Sequence, residues 1–263
     1  MKYFAVVVLV LTLFALPALS ASADEPKDTA STFVIDIMNT NGQLGTFNTA
    51  TIGTWENVIG ENGNPRTTYS FTSANGYDVL STDGNTVLGT IYSLNFEGEE
   101  DPQVIVNFSC KAGSADTTFS FKNTTDVVPT ITNPIARASA SLTLTDNSVP
   151  TNGSYATGAF DGSCYQARYN NGTVFTNLVD GFSITGGSLT SSNNDPVDGV
   201  SYRQVSGTVT QMEAEYRFTL KKYDSASGTS NFVMLPSVPE PSSMLGLGSA
   251  LIGLIGFGLK KRK

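Results

Sequence analysis

The chain has 263 residues, with 23 acidic and 15 basic side chains, a net charge of −8 and no histidine. This negative charge argues against a nucleic-acid partner, because binding the phosphate backbone requires a basic face. The lack of histidine excludes a Ser-His-Asp triad and removes the usual zinc ligand and the commonest general base.

The first 23 residues have the three regions of a secretory signal peptide. Lys2 supplies the charge, an apolar run covers residues 3–16, and Ala21-Ser22-Ala23 is a small-residue cleavage site. We therefore predict a signal peptide over 1–23, cut after Ala23 by signal peptidase in the general secretion pathway, with cleavage after Ala18 or Ser20 as the alternatives. The alternative is a single amino-terminal membrane helix.

Residues 24–236 read as an all-β body. Nine Asn-Gly and Asp-Gly pairs separate short segments in which apolar and polar residues alternate. These pairs tolerate the positive φ of tight hairpin turns, and a period of two is typical of strands with one buried face. The pattern predicts an antiparallel β-sandwich or jelly-roll-like body. An alternative is two smaller domains joined by a linker near 127–133.

The inward faces of the strands can be predicted from this alternation. The expected inward residues, in chain order, are Phe33, Ile35, Ile37, Leu88, Tyr92, Leu94, Phe96, Val104, Val106, Phe108, Phe119, Phe121, Ala138, Ala140, Leu142, Leu144, Met212, Ala214, Tyr216, Phe218 and Leu220. A hairpin is expected over 165–175 and a closing strand over 231–235. We expect a turn-like stretch over 225–230 and a long polar loop over 183–200.

Cys110 and Cys164 are the two cysteines. In an oxidising export route they are predicted to form a disulfide, which would close a loop of roughly 55 residues and contribute ~4 kcal/mol by the chain-entropy estimate. Two separate buried thiols are the alternative.

Glu213 and Glu215 form the one credible pair of catalytic carboxylates. Alternate residues of a strand share a face, with side chains ~7 Å apart, a separation that glycosidases use. The same face continues with Arg217 and Thr219 rather than with aromatic residues. We therefore expect a solvated charge ladder and predict no catalytic residue.

Two acidic loops, 97–101 and 195–199, carry oxygen ligands of the kind that calcium prefers, but neither has the spacing of a known calcium loop. We expect them to be solvated and predict no metal or cofactor. Trp55, the single tryptophan, is expected in the core, with stacking on a sugar ring as the alternative.

The last 27 residues, 237–263, have three parts. Val238-Pro239-Glu240-Pro241-Ser242-Ser243 precedes an apolar run over 244–259, and the basic tail 260–263 follows. The two prolines favour an extended motif. As a helix the apolar run would span ~24 Å, which is short for a bilayer core of ~30 Å. We predict a single transmembrane helix whose basic end stays cytoplasmic.

This tail resembles the PEP-CTERM sorting signal of exported bacterial proteins, with Val238, Pro239, Glu240 and Pro241 as the motif. The resemblance covers about a tenth of the chain. It implies transient membrane anchoring, processing by an exosortase-type protease, and a destination at the cell surface or outside the cell. A plain anchor that is never cut is the alternative. Removing both end segments takes away five cations and one carboxylate, which moves the net charge from −8 to −12.

Three functional classes remain for the body. By resemblance, a non-enzymatic structural or adhesive protein linked to exopolysaccharide or biofilm comes first. A carbohydrate-binding module is second, and it predicts a row of exposed aromatic side chains on one sheet face. A glycan-cleaving enzyme is third, since it needs two carboxylates facing one cleft.

Overall fold

The structure is a computed structural model that describes residues 31–59, 65–99, 102–148, 150–197 and 201–237. These residues form sixteen strands in two sheets. Sheet A contains β1 (Ser31–Asn39), β2 (Leu44–Thr46), β7 (Thr117–Thr132), β9 (Ser154–Gly158), β10 (Ser163–Tyr169), β11 (Thr173–Asp180), β12 (Phe182–Ile184) and β15 (Thr208–Leu220). Sheet B contains β3 (Thr54–Ile59), β4 (Pro65–Leu80), β5 (Val87–Glu99), β6 (Gln103–Ala112), β8 (Ile135–Thr145), β13 (Ser188–Asp195), β14 (Arg203–Gln204) and β16 (Ser225–Leu235).

All strand pairs are antiparallel, which confirms the predicted all-β class. Sheet A has the order β11-β10-β15-β7-β1-β2, with β9 also on β15 and β12 on β9. Sheet B has the order β13-β8-β16-β6-β5-β4-β3, with β14 on β8. Across the described part of the chain, no helix is long and apolar enough to cross a membrane. The predicted signal peptide and transmembrane helix lie outside the described residues.

The two sheets pack face to face around one hydrophobic core. Alternation on β8 and β15 is as predicted, with the inward side chains of both strands buried. Phe108 of β6 stacks on Phe121 of β7 at 4.1 Å between ring centroids and meets Tyr216 edge-on at 5.0 Å. Each large side chain buried in this way contributes roughly 1.5–3 kcal/mol. The core therefore fixes which face of each sheet points outward.

The hairpin expected over 165–175 is present as β10 and β11. Its turn residues Asn170 and Asn171 have φ values of 47° and 57°. Asparagine tolerates this left-handed conformation better than most residues do, which is why the Asn-Asn-Gly sequence turns here.

Three expectations about local structure were wrong. Tyr92 does not face the core, because a β-bulge between Ile91 and Ser93 shifts the alternation and buries Ile91 instead. The stretch 225–230 is part of β16, since its backbone pairs with β6 and β8 on both sides. Much of the loop expected over 183–200 is the edge strand β13, which pairs with β8 alone.

Candidate functional site

The predicted processing sites lie outside the described residues. These are the sorting-motif residues Val238, Pro239, Glu240 and Pro241 and the cleavage-site residues Ala21 and Ala23. The remaining candidates can be placed on the two sheets.

Glu213 and Glu215 lie on the outer face of sheet A, as their alternation on β15 predicted. A single guanidinium, that of Arg168 on β10, contacts a carboxylate oxygen of each. Glu215 also pairs with Arg217 Nε at 3.0 Å and accepts a hydrogen bond from Ser120 Oγ at 2.9 Å. Both carboxylates are therefore paired with cations on the outer face of sheet A.

Burial distinguishes this network from the solvated ladder that we expected. The side chain of Glu215 is only 3% exposed, because Arg168 reaches over it from the neighbouring strand. Asp36 of β1 lies close by, and burial raises the pKa of its carboxyl group above the ordinary value. The positive charges of Arg217 and Lys122 oppose that rise. The outer face of sheet A thus carries a partly buried ion-pair network.

Cys110 and Cys164 are separate buried thiols in the structure, so the predicted disulfide is not present. Cys110 is on β6 of sheet B, and Cys164 is on β10 of sheet A. The strand that carries Cys110, β6, packs across the core against β15 and β7 of sheet A. Burial raises the pKa of both thiols, that of Cys164 to about 12.

In the described part of the chain, no three acidic or cysteine side chains are grouped so that they could hold a metal ion. Glu97, which we expected in an acidic loop, lies on β5 and pairs with Arg66 at 3.4 Å. Residues 100–101 of the first acidic stretch and 198–199 of the second fall outside the described ranges. No calcium site can therefore be built from the described residues of these loops.

Trp55 is partly buried at the edge of the core. Its ring stacks on Phe33 at 4.9 Å with an interplanar angle of 16°, and its indole N–H donates to the Thr49 carbonyl at 2.8 Å. Both the face and the polar edge of the indole therefore have partners within the protein.

Sequence reasoning did not identify the outer face of sheet B, which has an unusual composition. Across six strands, from β13 through β8, β16, β6 and β5 to β4, the outward side chains fall in register as three rows that are almost entirely serine, threonine and asparagine. The rows are Thr190-Thr143-Ser227-Ser109-Ser93-Thr72, then Ser192-Ser141-Thr229-Asn107-Asn95-Ser70, then Asn194-Ser139-Asn231-Ile105-Glu97-Thr68. We call this surface the polar face.

A groove of about 500 Å³ runs over the polar face between β13 and β6. Its lining includes four asparagines and five serine or threonine residues, with Arg137 as the one charged side chain. Hydroxyl groups bridge neighbouring strands, as between Ser141 and Thr229 at 2.9 Å and between Thr143 and Thr190 at 2.7 Å. Each hydroxyl can donate and accept, and each amide offers both functions. The groove is therefore a nearly uncharged hydrogen-bonding surface on an acidic protein.

The comparisons with known proteins concern the tail. Residues 237–263 match the family model of the PEP-CTERM protein-sorting motif, which confirms the resemblance. The motif indicates an exported protein that exosortase sorts to the cell surface or the extracellular space. No curated protein matches the chain in sequence.

Proposed function

Since the chain carries a PEP-CTERM sorting motif, we propose that its body is a non-enzymatic surface or matrix protein that binds exopolysaccharide. The observation that carries the proposal is the groove on the polar face, which is lined by amides and hydroxyls and carries one charge. A polysaccharide is itself a polymer of hydroxyl groups, so such a lining can exchange hydrogen bonds with it along its length.

The near absence of charge in the groove favours this ligand class. Elsewhere the body is strongly acidic, and acidic loops repel an anionic polymer. A neutral or weakly charged glycan can lie in the groove without displacing tightly hydrated charges. The individual contacts are weak, so useful affinity arises from many repeats of one polymer binding at once.

A structural or adhesive role is supported over catalysis by the state of the carboxylates. Glu213 and Glu215 share the guanidinium of Arg168, so neither is available as a general acid or nucleophile without breaking the network. A dedicated carbohydrate-binding module remains the second candidate, because a cleft on the same side of sheet B, next to the polar face, is lined by Tyr92 and Tyr223.

We propose that the path to this role follows the two end segments. Signal peptidase removes 1–23, the segment 244–259 holds the chain transiently in the membrane, and an exosortase-type protease acts at the motif around Glu240. The body then enters the cell envelope or a biofilm matrix.

The test is retention on immobilised polysaccharides, with the chain length of the polysaccharide measured afterwards. Wild-type protein should be retained and should leave the polymer intact. The double variant Ser141→Ala, Thr229→Val removes a bridging hydroxyl pair inside the groove and should weaken retention. Thr118→Val, Thr219→Val removes a hydroxyl pair bridged at 2.7 Å on the outer face of sheet A and serves as the matched control. Equal retention of both double variants would refute the groove as the binding surface, and shortened polymer would favour an enzyme.

A further inference from the structure

A second cleft, of about 660 Å³, opens on the same face of sheet B beyond the polar rows. Unlike the groove, its lining includes two tyrosines, Tyr92 of β5 and Tyr223 of the turn between β15 and β16. Lys111 and Thr90 belong to the next row of the same surface, since they pair with each other across β6 and β5. The cleft therefore continues the polar face at one end of the sandwich.

Irregular backbone brings Tyr92 to this cleft. The bulge between Ile91 and Ser93 leaves Tyr92 without a partner on β6 and turns it away from the core. On the other side, β4 also departs from regular pairing between Thr72 and Tyr77, directly opposite Tyr92. Gly76 lies so close that a Cβ atom there would come within 3.0 Å of the Tyr92 ring. Bulges that re-aim a side chain are typical of binding sites.

Tyr223 is held in an uncommon conformation. Its φ is 68°, in the left-handed region that favours glycine, and its side chain is 50% exposed. A large ring at such a position costs stability relative to glycine and buries little surface in return. Its amide donates to the Gly113 carbonyl at 3.0 Å, which fixes the turn against the cleft. The ring's exposure is consistent with a role in binding rather than in packing.

Polar groups complete the cleft. Asp78 accepts a hydrogen bond from Thr90 Oγ1 at 2.7 Å and is otherwise exposed, while Lys111 and Asn85 add donors. A carboxylate that accepts, a cation that donates and aromatic rings that offer apolar surface together suit a sugar, which has hydroxyls at its edges and C–H groups on its faces.

We propose that this cleft binds one pyranose unit of a neutral glycan, with Tyr92 and Tyr223 contacting the ring faces and Asp78 and Lys111 contacting the hydroxyls. The inference rests on the proposed function, because the remaining units of the same polymer would lie along the polar face. In this arrangement the cleft selects the sugar, and the groove adds affinity by contacting further units of the same polysaccharide.

The experiment measures binding by the full-length protein, purified in detergent, to hexasaccharides of glucan, mannan, galactan and xylan type, with an alginate hexasaccharide as the acidic probe. Calorimetry on the best neutral probe should show that Tyr92→Ala weakens binding about tenfold. Tyr223→Gly should weaken it to a similar extent while unfolding no earlier than wild type, since glycine relieves the positive φ. Tyr92→Phe and Tyr223→Phe keep the rings and should stay within about twofold.

The outcomes separate this inference from the proposed function. If the ring-less variants bind like wild type while Ser141→Ala, Thr229→Val loses binding, the sugar cleft is wrong and the groove stands. If the wild-type protein prefers alginate, the neutral-sugar assignment is wrong. If it binds none of the probes, the proposed function fails and the cleft falls with it.

Discussion

Replacing Arg168 with methionine tests the buried ion-pair network on sheet A. The substitution keeps most of the side-chain volume but removes the guanidinium that contacts both Glu213 and Glu215. Glu215 is only 3% exposed, so water cannot replace the lost partner fully. Breaking a buried pair by removing one partner costs about 3–5 kcal/mol. Because Arg217 and Ser120 still contact Glu215, we expect a loss near the lower limit, about 3 kcal/mol.

Urea unfolding of the purified exported protein measures this loss. With an m-value of about 2–3 kcal/mol/M, the midpoint should fall by roughly 1–1.5 M. The matched control is Lys122→Met, since Lys122 lies 3.9 Å from Glu213 with its side chain 36% exposed. Exposed pairs contribute ~0–1 kcal/mol, so this midpoint should barely move.

Salt and a second substitution sharpen the result. In 1 M NaCl the difference between the two variants should persist, because buried pairs are screened much less than exposed ones. Adding Glu215→Gln to Arg168→Met should restore part of the stability, since it removes the stranded charge. Equal midpoints for Arg168→Met and Lys122→Met, or a loss that disappears in salt, would refute the claim that Glu215 is buried as a charged group.

Three further predictions concern other parts of the chain. Burial raises the pKa of Asp36, so the folded state binds the carboxyl proton more tightly than the unfolded state does. Acidification should therefore stabilise the wild-type protein relative to Asp36→Asn, as measured by the urea midpoints of both proteins at pH 7 and pH 4.5. A difference between the two midpoints that is the same at both pH values would contradict this prediction. Cys110 and Cys164, buried with raised pKa values, should react with a thiol reagent only after unfolding, and rapid labelling of the native protein would show that they are accessible. Pro239→Ala together with Glu240→Ala should leave a longer, membrane-held form in the producing cell, and an unchanged mature mass and location would contradict the tail's role as a sorting signal.

Regular alternation made much of the fold predictable. On β8 and β15 the inward residues were identified correctly, because a strand with one buried face must place apolar side chains at every second position. The same rule failed at Tyr92, where one extra residue in a bulge reverses the alternation. It also failed on β13, whose Ser/Thr/Asn-rich sequence resembles a loop because as an edge strand it contributes little to the core.

The polar face could not be predicted from the sequence, for a different reason. Each strand's polar residues were visible in sequence, but the polar face exists only because β16 pairs between β6 and β8. Thr229 meets Asn107 on one side and Ser141 on the other, from segments far apart in the chain. The local sequence of these segments does not determine the register, because the pairing of the strands depends on how their apolar faces pack in the core.

The central place of β16 also has a mechanical consequence. This strand pairs with β6 over nine residues and with β8 over eleven, and it ends at Leu235, just before the matched tail begins at 237. A pull on the carboxyl end runs along β16, across hydrogen bonds that are perpendicular to it on both sides. The two ladders must then fail together in shear, whereas an edge strand such as β13 would peel away one bond at a time. A load applied through this end would therefore have to break both ladders of β16 at once before the body could unfold.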